Sequence, residues 1–172
     1  MLLSNCGKNY DEVNIGYQVW MTKNLDVATF RNGDPIPDAK TNEEWKKAEE
    51  NKRPAWCYYD NDPTNGEKYG KLYNWYAVND PRGLAPEGWH IPSDAEWSTL
   101  TDFLAVENEN TCGWNENGVY TTHSGFSGHA SGQRRVRGTF GYLGINGNWW
   151  SSTEKPLERA WFRFIKYNYR GI

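Results

Sequence analysis

Two short stretches carry the side chains best suited to binding or reaction. Asp60-Asn61-Asp62-Pro63-Thr64-Asn65-Gly66 concentrates oxygen donors of the kind that hold calcium. An EF-hand loop needs glycine at its sixth position, and counted from Asp60 that position is Asn65. Asp, Asn, Pro and Gly are also the residues of an ordinary turn. A turn is therefore the first expectation here and a structural calcium ion the alternative, with no other cofactor required. The second stretch, Arg134-Arg135-Val136-Arg137, is the one basic cluster. Read as a strand, it places Arg135 and Arg137 on one side of Val136. They are then either solvated charges or a patch for an acidic glycan or carboxylate, which a guanidinium grips with two parallel bonds. Tyr, Trp, Arg and Asn continue to the end of the chain, and these types are favoured on surfaces that bind proteins and sugars. The candidate ligand-binding set is Arg135, Arg137, Tyr142, Asn146, Asn148, Trp150, Trp161, Arg163, Tyr167 and Tyr169. Some of these rings belong to the core: strand alternation in Trp149-Trp150 buries one indole and exposes the other, and Trp149 is expected inside.

Catalytic patterns are absent from the sequence. Acid–base chemistry needs carboxylates converging across a cleft, but of the 22 acidic residues Glu43, Glu44, Glu49 and Glu50 fall in one charged helix and Asp94 and Glu96 at a cap. There is no Gly-x-Ser-x-Gly, P-loop or dinucleotide fingerprint. His90, His123 and His129 are scattered, and Cys6, Cys57 and Cys112 show no CxxC spacing, so a zinc site has little support. Three cysteines allow one bridge at most. His90, between Trp89 and Ile91, reads as a packed histidine bonded to backbone. The expectation is a binding domain and not an enzyme.

The elements that position these residues come next. Hydropathy is low, but ten Trp, eleven Tyr and six Phe in 172 residues argue against disorder. Each buried ring removes about 150–250 Å² from water, so the core is built from rings rather than aliphatic side chains. The net charge of −3 gives no general grip on nucleic acid. No apolar run approaches the roughly 20 residues that span a membrane. Val13-Asn-Ile15 and Tyr17-Gln-Val-Trp-Met21 alternate around Gly16, a hairpin pattern. Thr41-Asn-Glu-Glu44 and Ser93-Asp-Ala-Glu96 are capping boxes that open two helices. The first runs to Asn51. The second runs to about Val106 with Trp97, Leu100, Phe103 and Leu104 on its apolar face. Residues 107–147 lack sustained periodicity and read as functional loop or short irregular strands. An antiparallel pair, 148–153 and 160–165, follows. In it Trp161, Arg163 and Ile165 face one way, and Phe162 and Phe164 the other. Residues 1–11 read as a linker or processed segment, and 12–172 as a single domain. Leu3-Ser4-Asn5-Cys6 also has the look of a lipoprotein signal's end, with Cys6 as the lipidated residue.

Several blocks in order are more specific than any one motif. They are Ile15-Gly-Tyr-Gln-Val-Trp-Met-Thr-Lys-Asn-Leu25, Tyr69-Gly-Lys-Leu-Tyr-Asn-Trp-Tyr-Ala-Val78 and Pro86-Glu-Gly-Trp-His-Ile-Pro-Ser-Asp-Ala-Glu-Trp97. Gly125-Phe-Ser127, Gly132-Gln-Arg134 and Trp149-Trp-Ser-Ser-Thr-Glu154 with Ala160-Trp161 follow. Together they resemble the Fibrobacter succinogenes major paralogous (FISUMP) domain of bacterial surface and secreted proteins, from about Val13 to Trp161. The resemblance implies an α+β, C-type-lectin-like fold, with two helices packed on small antiparallel sheets and long loops carrying the ligand surface. Two departures stand out. Relatives typically end with a strand of the type Gly-Phe-Ser-Val-Arg-Cys-Val where this sequence reads Tyr169-Arg170-Gly171-Ile172, and Ala85 stands where relatives often have cysteine. The sugar-binding calcium signatures of lectins, Glu-Pro-Asn or Gln-Pro-Asp with Trp-Asn-Asp, are also missing.

The expected function is ligand recognition outside the cytoplasm, by a secreted or cell-surface adhesion domain, lipid-anchored where Cys6 is the lipidated residue, whose partner is a protein or a glycan. The fold is also similar to that of the variable receptor proteins of diversity-generating retroelements. One alternative is a structural or assembly module of a larger surface protein or pilus. Another, an enzyme resembling formylglycine-generating proteins, lacks the cysteine pair or metal-binding histidines it would need.

Overall fold

The computed structural model describes residues 2–4, 10–105, 113–114, 119–122, 124–155 and 159–166. Its strands are β1 (Leu3–Ser4), β2 (Glu12–Ile15), β3 (Gln18–Met21), β4 (Trp56–Cys57), β5 (Leu72–Tyr73), β6 (Trp89–His90) and β7 (Gly113–Trp114). They continue with β8 (Val119–Thr121), β9 (Ser127–His129), β10 (Ser131–Arg134), β11 (Phe140–Leu143), β12 (Asn146–Lys155) and β13 (Arg159–Lys166). The α-helices are α1 (Asn42–Glu50), α2 (Pro63–Tyr69), α3 (Trp75–Val78) and α4 (Asp94–Ala105). The architecture is mixed α and β, with several small antiparallel sheets in place of one large one.

The hairpin read around Gly16 forms as β2–β3, with Gly16 at φ +58°, a conformation that suits a residue without Cβ. It belongs to a four-stranded sheet in the order β2-β3-β1-β6. Leu2, just before β1, is buried in the core, so this part of the N-terminal segment is built into the sheet. Both capping boxes form. Thr41 accepts from the Glu44 N–H while the Glu44 carboxylate accepts from the Thr41 N–H. Glu96 accepts from the Ser93 N–H at 2.7 Å and donates its own N–H to Ser93 Oγ. On α4, Trp97, Leu100 and Leu104 are buried. Phe103 differs from expectation: it lies at the margin of that stripe, is exposed, and packs over the Gly16 turn.

Two further helices went unread in the sequence. In α2, Asp62 is the N-cap, accepting from the Thr64 N–H, and Pro63 takes the first helical position, where its missing N–H costs nothing. In α3, Asn74 caps by accepting from the Ala77 N–H. Residues 107–147 yield short strands, as one of the two readings had it: β7-β8-β9 form one sheet and β10–β11 a hairpin. The strand expected across Arg135–Arg137 does not extend there. β10 stops at Arg134, and the Arg135 N–H bonds the Thr139 carbonyl while Gly138, at φ +88°, closes a turn.

Three aromatic-rich clusters make the core. The largest gathers Leu2, Phe30, Trp56, Trp75, Trp89 and aliphatic neighbours. The second sets Trp20, Trp97, Tyr120, Phe126 and Trp149 around α4 and the inner side of β12–β13. The third is small, with Trp45 and Cys57 at its centre.

Candidate functional site

The antiparallel ribbon β12–β13 determines the site, because its pairing gives it two unlike faces. Trp149 pairs with Arg163 and Gly147 with Ile165, and this inner face packs on α4. Trp149 is 6% exposed, donates its indole N–H to Asn24 Oδ1 at 2.9 Å, and lies against Trp97 and Phe126. Gly147 lies beneath this indole, where any Cβ would collide. Trp149 is thus inside, as expected. The outer face carries Asn146, Asn148 and Trp150 from one strand and Phe162 and Phe164 from the other. Its rings form a chain: Trp75 to Trp150 at 5.8 Å, Trp150 to Phe162 at 6.4 Å, and Phe162 to Phe164 at 6.2 Å between centroids. The Trp150 N–H is fixed by the Tyr73 carbonyl at 2.8 Å, and Asn148 donates to the Gly132 carbonyl at 3.0 Å.

Beside this face lies a cleft of about 410 Å³. Its walls include Trp150, Phe162 and Asn148 of the ribbon, Gln133 to Val136 of β10 and the following turn, Trp45 and Glu49 of α1, and Leu72 to Trp75. Trp45 leaves its buried indole N–H without a hydrogen-bond partner. Glu49, four residues on and so on the same side of α1, has its carboxyl pKa raised by burial, against a hydrogen bond from the Asn74 amide. Lys71 is almost wholly buried, paired with Asp26, bonded to Tyr58 Oη at 2.9 Å, and placed over the rings of Trp56 and Tyr58. Burial pulls its pKa down, but Asp26 and Tyr58 outweigh that and the net shift is upward.

Arg134 and Arg135 divide their roles. Arg134 is buried between the rings of Trp45 and Phe140 and donates to the carbonyls of Gly138, Ala39 and Thr41. Arg135 is exposed, lies over the Tyr142 ring at 5.3 Å, and makes one long bond of 3.4 Å to the Phe140 carbonyl.

Of the residues proposed from sequence, Arg135, Asn148 and Trp150 line the cleft. Tyr142, at φ +66°, supports Arg135 from outside it. Arg137 is exposed in the turn, and Asn146 lies farther along the outer face with a buried, unpartnered Oδ1. Trp161 is covered by the Lys155 ammonium at 3.3 Å from its ring centre. Arg163 pairs with Asp94 at 2.7 Å, tying the ribbon to the start of α4. Tyr167 and Tyr169 lie outside the described residues, as do Cys6, Cys112 and His123. Sequence reasoning missed Trp45, Glu49, Trp75, Gln133 and Phe162. For Phe162 a signal existed, since alternation along β13 with a tight antiparallel partner puts it beside Trp150.

Three other sequence candidates have structural roles. His90 bonds the Glu96 carboxylate through Nε2 at 2.8 Å, not backbone as expected, because Glu96 holds Ser93 with one oxygen and leaves the other free. Cys57 is buried and unbridged, and burial pushes its thiol up to about 11 despite the nearby Arg134 charge. In the Asp60–Gly66 stretch, Asp62 caps α2 and Asn65 donates to the Tyr59 carbonyl. Among the described residues no three His, Cys, Asp or Glu side chains group as metal ligands, and no helix is long and apolar enough to cross a membrane.

The family profile of the Fibrobacter succinogenes major domain matches residues 13–172, and the chain belongs to that family. Comparison with curated proteins and with solved structures returned no match.

Proposed function

We propose that this domain recognises a glycan in the cleft beside Trp150, as a C-type-lectin-like module displayed at the bacterial surface or secreted. The observation that carries this reading is the cleft itself. Its volume of about 410 Å³ falls within the 300–1,000 Å³ of small-molecule sites. Its walls combine aromatic faces, on which the C–H face of a sugar ring stacks, with a carboxylate, amides and a guanidinium suited to hydroxyl groups. Polar groups placed sparsely on an aromatic surface fix orientation, while the rings supply contact area. A likeness to diversified receptor proteins belongs to the same reading, since Phe162 and Phe164 project from the outer face of the ribbon about half exposed.

A glycan array, run with and without calcium, tests the proposal with wild type and Trp150→Ala side by side. Binding by the wild type that is lost in a folded Trp150→Ala variant is the expected result. Binding that survives the substitution would remove the cleft from the proposal. One observation favours a second reading, assembly with a protein: Phe162 and Phe164 are about half exposed beside one another. Self-association or co-purification with a surface protein, lost on Phe164→Ser, would favour that reading.

A further inference from the structure

The charges around the cleft restrict what sugar it would hold. Four acidic or basic side chains lie on its walls: Glu49, Lys71, Arg134 and Arg135. Lys71 is neutralised by Asp26. Arg134 spends its donors on three carbonyls and the Asn61 side-chain oxygen, so its charge has no carboxylate partner among the described residues. Arg135 has no carboxylate partner there either, and one long bond to a carbonyl leaves most of its five donors free. Tyr142 beneath it and Gly141 beside it, which has no side chain to crowd the guanidinium, hold the group at the cleft's edge. Glu49 stands on the α1 wall, and Phe162 and Trp150 on the ribbon wall.

Resting on the glycan-recognition reading above, we infer that the cleft takes an acidic saccharide, its carboxylate on Arg135 and its ring on Trp150 and Phe162. Arg135 supplies two parallel donors to a planar carboxylate, a contact that lysine or an amide does not reproduce. Arg134, without a carboxylate partner among the described residues, adds positive charge behind it. Gln133 and Asn148 on the same walls offer amides for ring hydroxyls, and Glu49 an acceptor on the α1 side.

The test is an array of acidic glycans, each beside its methyl ester, so that shape is kept and charge removed. Galacturonate, glucuronate and sialyl termini are included, with neutral glycans alongside. Both variants, Arg135→Gln and Phe162→Ala, change exposed side chains and leave the core intact. The wild type is expected to prefer at least one free acid over its ester by about ten- to a hundredfold, the range of a charge-assisted bond. Arg135→Gln should abolish that preference, and Phe162→Ala should weaken acid and ester alike. Equal binding of acid and ester, or a preference that survives in Arg135→Gln, overturns the inference. Binding confined to neutral glycans overturns it too while leaving glycan recognition standing. No binding to any glycan overturns both.

Discussion

Replacing Arg134 with methionine should cost the domain a sizeable part of its stability, although Arg134 sits beside the site. Its guanidinium ties the Ala39–Thr41 segment to its own turn at Gly138, more than 90 residues away in sequence. Nε bonds the Gly138 carbonyl at 3.0 Å, Nη1 the Ala39 carbonyl, and Nη2 the Thr41 carbonyl at 2.9 Å. Thr41 is the N-cap of α1, and Ala39 bonds Trp56 of β4, so the arginine locks α1 and β4 to the β10–β11 turn. Methionine keeps an apolar stem as far as the position of Nε but removes every donor and the guanidinium that lies over Trp45 and Phe140. Hydrogen bonds to a charged group contribute about 1.5–3 kcal/mol each. Release of the buried charge returns part of that, because desolvating a guanidinium is itself costly. Thr41 is also exposed enough for water to replace its lost bond. The net expectation is a loss of about 3 kcal/mol, or a fall in Tm of about 6–12 °C for a domain of this size. Urea unfolding followed by tryptophan fluorescence measures it, with Arg134→Lys losing an intermediate amount because an ammonium cannot span all three carbonyls. A methionine variant within about 1 kcal/mol of wild type would refute the clamp.

Two further predictions follow from buried titratable groups. Glu49 has its pKa raised by burial, so the folded state holds the proton more tightly than the unfolded one. Its contribution is therefore most favourable below the ordinary carboxyl value and is lost as pH rises through the folded value. Glu49→Gln should raise the urea midpoint at pH 7 and leave it unchanged near about pH 3.5, where both side chains are neutral. Equal midpoints at pH 7 would show that burial does not penalise the carboxylate. Cys57, with its thiol pushed up to about 11 by burial, should resist iodoacetamide in the folded protein at pH 8 and react in urea. Mass mapping of the Cys57 peptide reads the outcome, and rapid native labelling would contradict the buried position.

What was legible in the sequence follows a physical pattern. Local signals with one solution were readable: the Thr41–Glu44 and Ser93–Glu96 boxes, the Gly16 hairpin and the burial of Trp149 each follow from a few neighbouring residues. Signals with two solutions were not. Asp62-Pro63 reads as a turn or as the start of a helix. Only the tertiary place of the segment, with Gly66 packed under Tyr58 where any Cβ would clash, makes it α2. Arg134 and Arg135 look alike in sequence. What separates them is that β10 ends between them, sending one guanidinium into the interior and the other to solvent. The cleft was the least readable feature, since Trp45, Glu49 and Trp75 reach it from elements far from the ribbon.

The two faces of the ribbon differ in what they contribute to stability. Strand alternation assigns Gly147, Trp149, Arg163 and Ile165 to the inner face, where the indole beds on glycine and Arg163 grips Asp94. It assigns Asn148, Trp150, Phe162 and Phe164 to the outer face. Among the described residues, Trp150 and Asn148 of this face bond the rest of the domain through side chains, while the Phe162 ring packs on Trp150 and on Phe164. Substitutions on the inner face therefore act through cavity formation or loss of a buried pair, the mechanisms that give large destabilisation. Substitutions at Phe162 or Phe164 change the surface offered to a ligand at small cost to folding. A two-residue period thus separates the inner residues that pack on α4 from an outer face that ends in two half-exposed rings.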